Sequence, residues 1–157
     1  MNILISSCLL GLDCRYCGGG CPDERIKRIA GRFDLVPVCP EQMGGLPTPR
    51  PPVELRNGRA VNCSGKDLTE AFQKGARETL KLAKLLGCRC AVLKSKSPSC
   101  GSGLIYDGTF SGTLTQGDGV TAGLLRRSGI FVLNEENAEA ELKQLSAGGG
   151  MPKKAGH

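Results

Sequence analysis

Four short, mainly aliphatic runs constrain this chain most: NILIS at 2–6, LVPV at 35–38, CAVLK at 90–94 and IFVL at 130–133. None alternates apolar with polar residues, so each reads as a strand buried on both faces, the condition of a parallel sheet sandwiched between helices. Helix-like segments separate the runs, at 23–29, 68–86, 118–125 and 137–145. The longest carries Leu68, Phe72, Ala76, Leu80 and Ala83 along one face, opens on an Asp67/Glu70 capping box and stops at Gly87. This alternation predicts one Rossmann-like α/β domain over residues 1–146, a short, mostly parallel sheet flanked by helices. Pro37 assigns the second strand to a sheet edge or a strand end. Residues 104–106 and 110–114 are expected to pair as a small inserted hairpin around Asp107-Gly108. From residue 147 the glycine-rich AGGGMPKKAGH is expected to be a disordered tail.

In such sheets ligands bind beyond the carboxyl ends of the strands. Cys8 lies just past the first strand, Cys39 directly after the second and Cys100 a few residues past the third. Topology alone therefore selects these three, out of nine cysteines, as candidates for one shared site. Their loops suit a shared metal site, since SSCLLG permits a sharp turn, VCPEQMGGLPTPR is stiff, and SPSCGSG leaves room and offers backbone N–H groups. An odd cysteine count with no export signal points to metal or redox chemistry rather than disulfides. The single histidine, His157, ends the tail, so three thiolates without a fourth ligand leave two options. One is an iron–sulfur cluster with one open iron; the other is a zinc with an open position. Three unrelated core cysteines are the plain alternative. Cys63, Cys88 and Cys90 read as ordinary small residues, and Cys14, Cys17 and Cys21 as an exposed, reduced loop rather than a second metal site.

Aromatic residues are scarce, 4% with no Trp, which argues against stacking platforms for single-stranded nucleic acid. The net charge of +6 includes Lys153 and Lys154 of the tail, and the remaining cations are interleaved with acids, as on a solvated surface. RNA therefore ranks behind a small molecule as partner. No basic leader and no bilayer-length apolar segment occur, so a cytoplasmic protein without membrane contact is expected. Nothing in the sequence indicates the oligomeric state.

The blocks SSCLLGLDCRYCGG, VPVCPEQMGGLPTPRPPVE, GKDLTEAFQKGA and LKSKSPSCGSGLIYDGTFSGTLTQGDGVTAGLL resemble the thiouracil desulfidase family, in order and over nearly the whole folded chain. The resemblance implies a 4Fe–4S cluster held by Cys8, Cys39 and Cys100, whose open iron takes the exocyclic sulfur of a thiolated nucleobase. Glu41 and Ser97 match the family's acid–base positions; the alternatives are a Glu41 that only braces its loop by pairing with Arg50, and a Ser97 that is a plain turn residue. Cys17 departs from the Asp or Asn usual before Gly18, and GGGC around Cys21 is also unusual. The resemblance also implies that enzymes of thiolated RNA often carry an additional domain, which favours a free base or nucleoside as the expected substrate. A non-catalytic zinc or cluster module contacting RNA, and a thiol- or persulfide-transfer protein, are the rival readings.

Overall fold

The computed structural model describes residues 1–148 and Gly150. Four parallel strands form the central sheet in the order β2-β1-β5-β8: β1 (Asn2–Ser6), β2 (Asp34–Val38), β5 (Cys90–Leu93) and β8 (Phe131–Asn134). β1 pairs with β2 from Asn2↔Asp34 to Ser6↔Val38, and with β5 from Ile3↔Cys90 to Ile5↔Val92. β5 pairs with β8 from Cys90↔Phe131 to Leu93↔Asn134. Pro37 lies in the edge strand β2, where its missing N–H costs least.

The two-residue period of a strand divides the aliphatic runs between two cores. Ile3, Ile5, Cys90, Val92 and Leu133 face α1 (Glu24–Ala30) and α5 (Ala138–Ser146), through Ile26, Ile29 and Leu142. Leu4, Ala91, Leu93 and Val132 face the other way, onto Ala83 of α3 (Thr69–Leu85) and Ala122 and Leu125 of α4 (Val120–Arg127). Each fully buried Ile or Leu stabilises this sandwich by roughly 1.5–3 kcal/mol relative to exposure.

A short helix, α2 (Pro40–Met43), packs against α3 at unusually close range. A Cβ on Gly75 would lie 1.8 Å from the Pro40 carbonyl oxygen, and one on Gly44 2.1 Å from that of Ala71. Only glycine permits this approach, which seats the segment after β2 firmly on the long helix.

Several local expectations change. A hairpin that the sequence reading leaves out, β3 (Val53–Arg56) with β4 (Arg59–Asn62), turns at Asn57-Gly58. Strand β6 (Leu104–Tyr106) pairs with β7 (Leu114–Gln116), not with a strand beginning at 110, so the connection is a long loop, 107–113. The reason is that Gly108 is pressed onto β3, where its Cβ would meet Leu55 O at 2.7 Å. Asp67 precedes the N-cap of α3 and accepts from Thr69 N–H while pairing with Arg59, so no capping box with Glu70 forms. The helix expected from residue 118 begins at Val120 with Gly119 as its N-cap, and Asp118 accepts from Gly103 N–H. Ala147 and Gly148 form a turn after α5. The rest of the expected tail, His157 included, lies outside the described residues apart from Gly150. Among the described residues no helix is long and apolar enough to cross a membrane.

Candidate functional site

At the carboxyl ends of β1, β2 and β5 the connecting loops enclose a cavity of about 530 Å³, the size of a small-molecule site. Ser6 pins two of these strand ends together by accepting from Lys94 N–H at 2.8 Å. The loop after β5 is fixed by Glu135, which accepts from Lys94 Nζ (2.7 Å), Ser95 N–H (2.9 Å) and Ser95 Oγ (2.7 Å). Burial pushes the Glu135 carboxyl upward, but these bonds outweigh it and hold it below its ordinary value.

All five residues singled out in the sequence line this cavity: Cys8, Cys39, Cys100, Glu41 and Ser97. Cys8 sits in the 3-10 turn Ser7–Leu10 that follows β1, Cys39 between β2 and α2, and Cys100 at the close of the turn after β5. Cys8 and Cys100 are buried, and Cys39 is partly so.

Burial raises the Cys8 thiol strongly, and the neighbouring Cys100 and Cys14 raise it further. Cys100 is pushed up to about 11 by burial, against the lowering effect of the Ser6 and Ser99 hydroxyls. Without a positive centre beside them, thiols so raised hold their protons. A bound metal group would supply the compensating charge that lets them ionise.

The donor set is thiols, with no histidine among the described residues. Among the described residues no three His, Cys, Asp or Glu side chains gather closely enough to chelate a single metal ion. Soft sulfur donors spread around a wide cavity suit a polynuclear iron–sulfur group better than a lone zinc, which needs a tight tetrahedron.

Glu41 is held at both carboxylate oxygens. Arg50 Nε donates to Oε1 at 3.1 Å, and Ser99 Oγ donates to Oε2 at 2.9 Å. Arg50 is itself 8% exposed and also donates to the carbonyls of Pro47 and Cys14 and to Thr48 Oγ1. Glu41 is thus both braced and part of the cavity wall. Ser97 shows a similar doubling: its Oγ accepts from the N–H groups of Ser99 (3.2 Å) and Cys100 (3.1 Å), building the turn that presents Cys100. Its hydroxyl also meets that of Ser99 at 3.1 Å, so Ser97, Ser99 and Glu41 form one hydrogen-bonded chain.

Three participants are not singled out by the sequence: Ser99, Cys14 and the extent of Arg50's network. Cys14 corrects the expectation of an exposed loop; it is 6% exposed and lines the cavity. Its carbonyl accepts from Cys39 Sγ at 3.7 Å, and burial followed by the influence of Cys39 pushes its own thiol up to about 12. It shares the post-β1 loop with Cys8, so the topological argument applied to Cys8 covers it equally. Cys17 is exposed and Cys21 half-buried, and neither lines the cavity. The few aromatics are concentrated here, since both tyrosines of the chain, Tyr16 and Tyr106, and also Phe110 line the wall.

Known proteins resemble this chain over most of its length. A profile of the 2-thiouracil desulfurase family matches residues 3–137. The uncharacterized protein YbbK of Bacillus subtilis (strain 168) is 44% identical, over 85% of this chain and 95% of its own. The solved structure of the 4Fe-4S-dependent thiouracil desulfidase TudS superposes with a TM-score of 0.87 at 42% identity, covering 93% of this chain and 98% of that one. With more than half of its length matched, over the residues that build the cavity, the chain belongs to the 2-thiouracil desulfurase family.

Proposed function

We infer that this chain is an iron–sulfur-dependent desulfidase that hydrolyses a thiocarbonyl of a free nucleobase or nucleoside to the carbonyl, releasing sulfide. The observation that carries this reading is the gathering of Cys8, Cys39 and Cys100 from three separate loops onto one cavity wall that also holds Glu41 and Ser97. The 4Fe-4S requirement of the structurally similar TudS supports a 4Fe–4S cluster here, with those three cysteines as its ligands. When bound, the cluster supplies a soft Lewis-acidic iron suited to a thiocarbonyl sulfur.

The remaining chemistry belongs to the protein's own side chains. Glu41 takes a proton from the attacking water, its carboxylate oriented by Arg50 and Ser99. Ser97, linked to Glu41 through Ser99, returns a proton to the departing sulfur or holds the base in place. Water supplies the new carbon–oxygen bond and both protons of the hydrogen sulfide, so no net electron transfer occurs. The cavity is of small-molecule size, and the cluster would share it with the substrate. A persulfide-transfer role at the cavity is disfavoured because it needs an exposed thiol of lowered pKa, whereas Cys8, Cys14 and Cys100, which line it, are buried and raised.

Anaerobic reconstitution with iron and sulfide, followed by 2-thiouracil and 4-thiouridine assayed for loss of thiocarbonyl absorbance, tests the reading. About four irons per chain and turnover of either compound are expected. Stoichiometric zinc without iron, or a loaded protein that leaves both compounds intact, overturns it.

A further inference from the structure

The loop 107–113 does not close a tight hairpin; it leans across onto β3, and the contacts that hold it are specific. Glu54 Oε1 accepts from both Gly108 N–H (3.0 Å) and Phe110 N–H (3.2 Å). Arg56 returns the grip by donating through Nε (3.1 Å) and Nη2 (2.6 Å) to Gly108 O. Between these anchors Phe110 has φ +55°, the left-handed region that a bulky side chain rarely adopts. Such a conformation persists only when the surroundings impose it, and it concentrates at functional sites. Phe110 belongs to none of the apolar cores, yet it lines the cavity. Core packing therefore does not account for the strain; the bonds to Glu54 hold the loop in it, at the cavity wall.

We propose that Phe110 is the residue on which the pyrimidine ring of the substrate stacks, and that Glu54 is the positioning residue that holds it there. This rests on the desulfidase reading for the identity of the ring and extends it by naming what recognises the ring's face. An aromatic face is indifferent to which ring carbon bears sulfur, so Phe110 contributes affinity for a flat heteroaromatic ring rather than selectivity between thiolated positions. Ser97, Ser99 and Glu41 are left to act on the thiocarbonyl. The hairpin β3–β4 acquires a purpose, since Glu54 and Arg56 both lie on β3 and clamp the loop.

The chain contains no Trp, so Phe110→Trp places a single indole on the cavity wall. Titrating that variant with uracil, with and without the cluster, is expected to quench its fluorescence saturably while retaining the parent's affinity within a few-fold. Phe110→Leu keeps apolar bulk but removes the ring, and should weaken uracil binding, measured by calorimetry, on the order of tenfold. In turnover it should raise KM with kcat nearly unchanged, and leave iron content at the parental value. Glu54→Ala should reproduce the Phe110→Leu loss, Glu54→Gln should largely restore binding because its carbonyl still accepts, and the Phe110→Leu/Glu54→Ala double variant should bind no worse than Phe110→Leu. Unchanged uracil affinity in Phe110→Leu, or additive losses in the double variant, overturns the proposal. If Phe110-dependent uracil binding is found in a protein that never desulfurates, the catalytic reading fails and the stacking site stands.

Discussion

Cys90 and Cys100 are alike in burial and in what burial does to their thiols. Both are buried, at 0% and 4% exposure, and burial pushes both thiols up, to about 12 and about 11. Their surroundings separate them. Cys90 sits within β5, among Ile3, Val92, Leu133 and the covering helices α1 and α5, a small apolar side chain among others. Cys100 ends a turn built by the Ser97 hydroxyl, has the Ser99 hydroxyl 3.6 Å from its sulfur, and opens onto the cavity shared with Cys8 and Cys39. Burial and a raised thiol pKa thus do not mark a functional cysteine. What sets Cys100 apart is the cavity beside its sulfur, which Cys90 lacks, and on the proposed reading that opening is what makes it a cluster ligand.

The sharpest way to break that comparison is to truncate both. Cys100→Ala is expected to abolish retention of iron after anaerobic reconstitution, and desulfuration with it. Cys90→Ala should retain the parental iron content and lose about 1–2 kcal/mol of stability, read from urea unfolding, for the small cavity it leaves. Iron loading that survives Cys100→Ala, or fails in Cys90→Ala, would remove the distinction between the two environments.

The next largest effect falls on stability around the cavity. Arg50 and Glu41 form an ion pair whose side chains are 4% and 14% exposed. Removing the guanidinium leaves a partly buried carboxylate and two carbonyls, those of Pro47 and Cys14, without that donor. Arg50→Met is therefore expected to cost about 3–5 kcal/mol in urea unfolding. Arg50→Lys should recover only part of it, because one ammonium cannot reproduce the planar fork. A loss below about 1 kcal/mol would mean that the pair is held no more firmly than a surface bridge.

A smaller effect is expected at the seam between α2 and α3. Gly75→Ala places a methyl 1.8 Å from Pro40 O, and backbone rather than a flexible side chain must yield. About 1–3 kcal/mol of destabilisation is expected. Because α2 carries Glu41, desulfuration should fall further than the lost stability explains, whereas Cys90→Ala should show no such excess.

These residues also show what is legible in the sequence. Cys8, Cys39 and Cys100 stand out because each follows a strand end, and strand ends are readable in unbroken aliphatic runs whose twofold period and double-sided burial the sheet confirms. The second ring of residues is hidden for a physical reason. Ser99 and Glu54 act through bonds to partners 58 and 56 positions away, and no local periodicity encodes such distances, whereas Arg50 stands only 9 positions from the Glu41 it pairs with and is readable as its partner. The hairpin β3–β4 is hard to read because VELR and RAVN are half-polar, although Asn57-Gly58 is a strong turn signal. Asp107-Gly108 gives the same signal and misleads, since that glycine serves close contact with β3 rather than a two-residue turn. For Cys14, composition points to an exposed loop, whereas its place after β1 argues for the cavity.

The smallest expected effect concerns the cover over Cys90. Helices α1 and α5 are joined across their exposed side by Arg28, which donates to both carboxylate oxygens of Glu139 at 3.0 and 2.9 Å. These bonds, with further attraction from Lys143, hold the Glu139 carboxyl down at about 2, below its ordinary 4.5. A carboxyl that gives up its proton more readily in the folded chain than in the unfolded one stabilises the fold when ionised. That contribution is complete above about pH 4.5 and disappears as the pH falls through 2. Glu139→Gln should therefore unfold at a slightly lower urea concentration than the parent at pH 6, and the gap should close as the pH approaches 2. The pair is solvent-exposed, so 1 M salt at pH 6 should close the gap as well. Iron content should not change in either condition where the cluster is stable, because the helices that cover Cys90 contribute nothing to the cavity wall on which Cys100 stands. A gap that persists at pH 2 would assign the effect of the substitution to packing between α1 and α5 instead of to charge.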